Sequence, residues 1–306
     1  MKNLFTIAAL VLMVIGFTYV SQAQKHKKAS GKAGVLNMED FDTPEKIAKQ
    51  SEDFIDISGE KYLKKFNVKK IGIIEFYVEF FQNKELQENA YLTRTESIKF
   101  SDDYYKNAVQ IIYDLVTGEL TKSGFEFLPK DTMGSDSGYK KLELASEAEG
   151  GGYSGGVFQR SENVSTIKLS VEGLGLLPVH AGLGSAFAAI SKNNAIKSFK
   201  AQIAKEKGLD AVAEVFIHIA KGKEAEPVIN VFNITLDMGP LTDSNLPHMD
   251  YEHATTISLK KPITTAADIS GKESNSIDVA KYNAALSEMI GTIVKMAGSA
   301  MASAMK

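Results

Sequence analysis

The sequence predicts an α/β fold, with α+β as the alternative: a mixed sheet flanked by helices and ended by a long C-terminal helix. Three observations predict it. Polar and apolar residues alternate from Val68 to Gln82 at the period of a strand. Apolar residues then recur at helical spacing from Tyr105 to Leu120. Two more strand-like runs, LDAVAEVFIHIA and VINVFNITLDM, follow a second helical stretch that ends at Gly208.

The elements read as follows, in chain order. Lys2 precedes an uncharged, mostly apolar run from Asn3 to Gln22, with small residues at Ser21 and Ala23. That is the layout of a secretory signal peptide, residues 1–23, cut near Ala23; a retained anchor is the alternative. Export to the periplasm or the exterior is therefore expected. Cleavage would remove one lysine and no acid, taking the net charge from -3 to -4. Residues 24–41 begin QKHKKASGKAG and read as a flexible basic arm. Thr43-Pro44 opens a helix, because proline suits the first helical position. In the strand from Val68, residues Ile74, Phe76, Val78 and Phe80 share one face, and Glu75, Tyr77 and Glu79 the other. Ala90 to Phe100 is a second extended stretch. Ser101-Asp102-Asp103 caps the helix that ends before Gly124, and Phe125 to Pro129 is a short strand. Residues 146–166 hold five glycines and few apolar residues, and read as a loop. A strand is expected over Lys168 to Leu177 and a helix over Ser185 to Lys207, where Asn193-Asn194 marks a candidate break. Ala254 to Leu259 is the last strand. Residues 42–277 are thus expected to form the α/β domain.

Residues 278–306 read as one helix in which Lys281, Glu288 and Lys295 are the only charges between Val279 and Lys306. So little polar surface calls for burial on most sides. An ordinary core helix is one reading. The other is a partner surface around Ser287, Gly291, Val294 and Gly298, where small residues permit close backbone approach.

Composition excludes some functions. The net charge is -3 and Arg94 and Arg160 are the only arginines, so a nucleic-acid reader is not expected. Cysteine is absent, which removes disulfides, thiol nucleophiles, zinc thiolates and a lipidated cysteine. Membrane contact is compatible with the sequence, but a spanning protein after cleavage is not expected.

Two segments spell chemistry. Gly152-Tyr153-Ser154-Gly155-Gly156 contains G-x-S-x-G, the nucleophile elbow of a hydrolase, but no buried strand precedes it and no helix opening follows. Gly151, Gly152, Tyr153, Ser154 and Gly155 are read instead as a mobile glycine loop. The stretch HMDYEH sets His248, Asp250 and Glu252 on one face of an extended segment, with His253 beside them. Such a set suits a divalent ion, and a polar surface strand explains it as well. No catalytic residue, cofactor or metal is therefore expected. A hydrolase or metal enzyme using Ser154 or the His248–His253 cluster is the alternative, and a small-ligand binder with the glycine loop as lid is another.

The run KKIGIIEF, the helix NAVQIIYDLVTGELTKSG, the strand FEFLP, and KEKG before LDAVAEVFIHI resemble, in that order, the periplasmic α/β domain shared by the curli secretion channel family and the TolB N-terminal domain. Gly208-Leu209-Asp210-Ala211 is similar to the turn before those families' central strand. The resemblance covers Val68 to Met238. It implies an envelope protein that binds partners or assembles without chemistry. This sequence departs from the channel proteins in having no lipidated cysteine and no obvious transmembrane hairpin.

Overall fold

In the computed structural model, the structure describes residues 33–36, 41–89, 92–98, 100–154, 161–177, 186–238, 253–271 and 276–306. They form an α/β unit whose eleven strands make one mixed sheet. The strands are β1 (Gly34–Leu36), β2 (Ile55–Ser58), β3 (Lys70–Asn89), β4 (Leu92–Ser97), β5 (Glu126–Phe127), β6 (Glu147–Ser154), β7 (Ser161–Ser170), β8 (Ala211–Lys221), β9 (Pro227–Met238), β10 (Ala254–Leu259) and β11 (Ile263–Thr265). The helices are α1 (Pro44–Phe54), α2 (Glu60–Phe66), α3 (Asp102–Lys122), α4 (Lys130–Ser135), α5 (Ser137–Lys140), α6 (Ala186–Lys207) and α7 (Val279–Ala304).

The main path of the sheet runs β1-β11-β9-β8-β3-β7-β6. β3 is its spine, and its 20 residues change partners along their length. Residues 71–80 pair in parallel with β8, and residues 77–87 pair antiparallel with β7. Where β8 ends, β4 takes its place beside residues 83–89.

The two faces of β3 divide the molecule. Ile74, Phe76, Val78 and Phe80 are buried. Tyr113 of α3 meets the Phe76 ring edge-on at 5.1 Å, and Tyr105 meets Phe80 at the same distance. So α3 lies on this apolar face, as its stripe of Tyr105, Ala108, Val109, Ile112, Val116 and Leu120 predicts. The Ser101 hydroxyl caps it, accepting from the Tyr104 N–H. α7 packs beside α3, and the Tyr104 hydroxyl donates to Asn283 Oδ1 at 2.7 Å. Thr43 caps α1, with Pro44 at its first turn. Across the sheet lies α6, which runs unbroken through Asn193-Asn194. Its last turn ends at Gly208, whose φ of 59° closes the helix.

Three sequence expectations change. Residues 34–36, assigned above to the arm, form β1 in parallel with β11. Gly34 allows it, since a Cβ there would stand 2.8 Å from the Phe54 ring. Residues 147–154 and 161–166 fall in the segment read as a loop, yet they belong to antiparallel β6 and β7. The strand expected over Lys168 to Leu177 begins earlier and ends at Ser170. The structure thus contains two adjacent hairpins, β3–β4 and β6–β7, joined through β3 and β7. β4 falls in the extended stretch expected over Ala90 to Phe100 and pairs with β3, whereas QNKELQEN, EGGGYS and SENVS are mostly polar, so hydropathy does not mark them as strand. Among the described residues, no helix is long and apolar enough to cross a membrane.

Candidate functional site

Two features stand apart from ordinary packing. The first is a four-stranded antiparallel arm, in the order β4-β3-β7-β6, made by the two hairpins. Its outer strands are β4, which pairs only with β3, and β6, which ends the path of the sheet among the described residues. Each leaves one row of backbone N–H and C=O groups without a strand partner there. The glycines of β6 have a packing reason at one position. A Cβ on Gly150 would stand 2.4 Å from Thr166 Oγ1 and 2.8 Å from Glu79 Oε1. Thr166 Oγ1 donates to that Glu79 oxygen at 2.6 Å, so the bare backbone of Gly150 makes room for the pair.

The second feature is the face of the sheet beneath α6, where strands that read as apolar carry acids inward. Glu75 is fully buried, and its Oε1 accepts from the Leu177 N–H at 2.6 Å. The register sets Glu75 opposite Glu214, Tyr77 opposite Phe216, and Glu79 opposite His218. The Tyr77 and Phe216 rings stack at 4.6 Å, and with Leu176 and Val231 they form a small core of their own. Burial first, then the nearby Glu75, Glu79 and Glu214, push the Tyr77 phenol far above its ordinary value. Lys200 of α6 is 2% exposed; its Nζ donates to Glu214 Oε1, and to Asp237 Oδ2 at 2.7 Å. Burial pushes the Asp237 carboxyl up, Lys200 pulls it down, and Glu214 pushes it up again. Asp237 Oδ1 is buried without a hydrogen-bond partner.

The residues singled out in the sequence fall as follows. Gly151, Gly152, Tyr153 and Ser154 are the end of strand β6, opposite Ser165, Val164, Asn163 and Glu162. They are therefore strand rather than loop, and Gly155 lies outside the described residues. Ser154 ends strand β6, and the next described residues, from Ser161, form β7 of the same hairpin, so among the described residues no helix opens after it. Of the HMDYEH cluster only His253 is described. Its ring lies 4.9 Å from Tyr62 and 5.1 Å from Phe66, and its Nδ1 is buried without a partner. His248, Asp250 and Glu252 lie outside the described residues. Among the described residues, no group of three or more His, Asp or Glu is placed to hold a metal ion.

The expected partner face of α7 is turned inward. Gly291, Val294 and Gly298 are buried, and Ser287 is half-buried. A Cβ on Gly298 would stand 2.3 Å from Ser123 Oγ, so the close approach that glycine permits is used by α3 of the same chain. α7 exposes the stripe of Lys281, Ala284, Glu288 and Lys295, with Val279 and Ala280 at its start and Ser303 at its end.

Sequence reasoning missed Lys200, Glu214 and Asp237. The available signal was an acid inside each of two apolar runs, AVAEVFIHI and VINVFNITLDM, since such acids are rarely buried without a partner. No protein-family model, no curated protein and no solved structure matches this chain.

Proposed function

We propose that this is an exported envelope protein that acts without chemistry, through protein–protein contacts and assembly, and that the β4-β3-β7-β6 arm is its contact element. The observation that carries this reading is the pair of outer strands, each six residues or longer, with one unpaired edge among the described residues. An open strand edge is a template for another strand, with main-chain hydrogen bonds supplying affinity. The leader-like residues 1–23 support export, and the resemblance to periplasmic α/β domains points the same way. Asp237, Glu75 and Lys200 are engaged inside the fold, which suits a scaffold holding the arm.

The test uses proline on the β6 edge. Along an edge strand, alternate N–H groups point to the neighbour and outward, so Gly151→Pro and Gly152→Pro remove one of each kind. Light scattering across a concentration series is expected to show wild-type protein growing in mass. The outward-facing proline should keep the native circular dichroism and lower that mass. Wild-type protein that stays monomeric throughout, or an association unchanged in both proline variants, would remove the arm from this role.

A further inference from the structure

We propose that helix α6 is a proton-linked latch: the folded protein holds a proton on Asp237, and losing it releases the helix from the sheet. The proposal is independent of the arm and its partners. It begins with what fastens α6. The side chains that α6 buries over its described part are Ile196, Phe199, Lys200 and Ile203. Lys200 sits among them as the central polar tie, because its one ammonium bridges two neighbouring strands, reaching Glu214 on β8 and Asp237 on β9.

The charges there do not balance. Two carboxylates meet one ammonium, and Asp237 is 1% exposed while Glu214 is 8% exposed. With all three ionised, the cluster carries one excess negative charge. Lys197, partly exposed on α6, acts on Asp237 less than Lys200 does. On the far side of β9, β10 sets Ala254 opposite Asp237 and brings no charge. Beyond β8, β3 adds a further acid, Glu75, opposite Glu214.

A shielded, uncompensated carboxylate costs far more than a neutral carboxyl with one unmet hydrogen bond. Protonating one acid leaves a neutral cluster, the Lys200–Glu214 ion pair beside a carboxylic acid. Asp237 is the acid to carry the proton, since its Oδ1 is buried and no donor reaches it. The direction in which its surroundings push the group, upward and chiefly by burial, agrees.

The sign follows from linkage. A carboxyl whose folded pKa is raised binds more protons with α6 docked than with the cluster open to water. The docked state is favoured below that raised pKa and loses ground as pH rises through it, by up to about tenfold per pH unit. Lifting α6 would withdraw Lys200 from Glu214 of β8 and Asp237 of β9 and open both acids to water.

The experiment is a pH titration of the whole protein followed by NMR. The side-chain carboxyl carbon of Asp237 reports its protonation. Amide exchange along residues 194–207, corrected for intrinsic chemistry, reports opening of α6. Asp237 is expected to titrate above the ordinary carboxylate range, and opening should grow by up to about tenfold per pH unit above that midpoint. Glu214→Gln removes the like charge and should move the midpoint down. Asp237→Asn should leave opening of α6 independent of pH. An Asp237 that titrates in the ordinary range would overturn the proposal. So would exchange in α6 that ignores pH in the wild type, or a Glu214→Gln midpoint equal to or above that of the wild type. The wild-type and Glu214→Gln readings decide the matter even if Asp237→Asn does not fold.

Discussion

Two glycines of α7 separate propensity from packing at the scale of single atoms. Both lie in the helix interior, where glycine is worse than alanine by about 1 kcal/mol. Around Gly291 a Cβ would meet nothing within 4 Å. Around Gly298 it would stand 2.3 Å from Ser123 Oγ and 2.9 Å from Ser123 Cβ, closer than real Cβ atoms come. Gly291→Ala is therefore expected to stabilise by up to about 1 kcal/mol in chemical denaturation. Gly298→Ala is expected to destabilise by about 1–3 kcal/mol, with partial recovery on adding Ser123→Gly. Equal effects at the two sites would mean that α7 and α3 do not touch as described. Asp210 is a second decisive residue. Its Oδ2 accepts from the N–H groups of Lys69 and Lys70 at 2.9 and 2.8 Å, and its own N–H donates to the Lys70 carbonyl at 2.8 Å. One carboxylate thereby ties the start of β8 to the start of β3. Asp210→Ala strands two donors and should cost about 1–3 kcal/mol, whereas Asp210→Asn, which keeps an acceptor, should cost less.

Helices and strands differ in how openly the sequence announces them. β3, α3, β8 and β9 were legible because each has one strong period, and because Ser101 and Gly208 mark where helices begin and end. β6 was not legible, since glycines have low strand propensity and EGGGYS has no apolar face of its own. Its strand character comes from β7, and Gly150 is there so that Glu79 and Thr166 can meet beneath it. Gly150→Val is thus expected to lower stability by about 1–3 kcal/mol even though valine favours strands, a reversal that denaturation would read directly. The buried ammonium was equally hidden. In AIKSFKAQIAKEKG the apolar side reads as Ile196, Phe199 and Ile203, nothing sets Lys200 apart from the other lysines, and the acids that claim it lie 14 and 37 residues away. A pattern in one element cannot show a partner brought in by a sheet crossover. The greasiness of α7 was plain, but not what covers it. Helices α3 and α1, with the sheet, do so, which makes α7 part of the core. Ending the chain at Asp278 should abolish cooperative unfolding, and a truncated protein that still melted cooperatively would detach α7 from that core.

Across the whole molecule, the absence of cysteine leaves stability to packing, and much of that packing is aromatic. Six tyrosines, Tyr77, Tyr104, Tyr105, Tyr113, Tyr139 and Tyr282, have phenols pushed above their ordinary value, in each case chiefly by burial, with Tyr113 raised to about 12. They tie separate parts together. The Tyr139 hydroxyl donates to the Ile74 carbonyl and accepts from the Gly175 N–H, Tyr104 links α3 to α7, and Tyr282 packs 5.2 Å from Phe100. A phenol is neutral when protonated, so a raised folded pKa means that the folded chain keeps protons which the unfolded chain gives up near pH 10. Stability is then untouched below that pH and falls above it, by up to about 1.4 kcal/mol per pH unit for each such tyrosine. Several act in the same window, so the loss is expected to be steep. Alkaline titration should show tyrosinate absorbance rising in one cooperative step that coincides with loss of the far-ultraviolet circular dichroism. Gradual ionisation of these six phenols near pH 10, with the circular dichroism intact, would mean that the aromatic interior is open to water and that packing of this kind does not hold the sheet and α7 together.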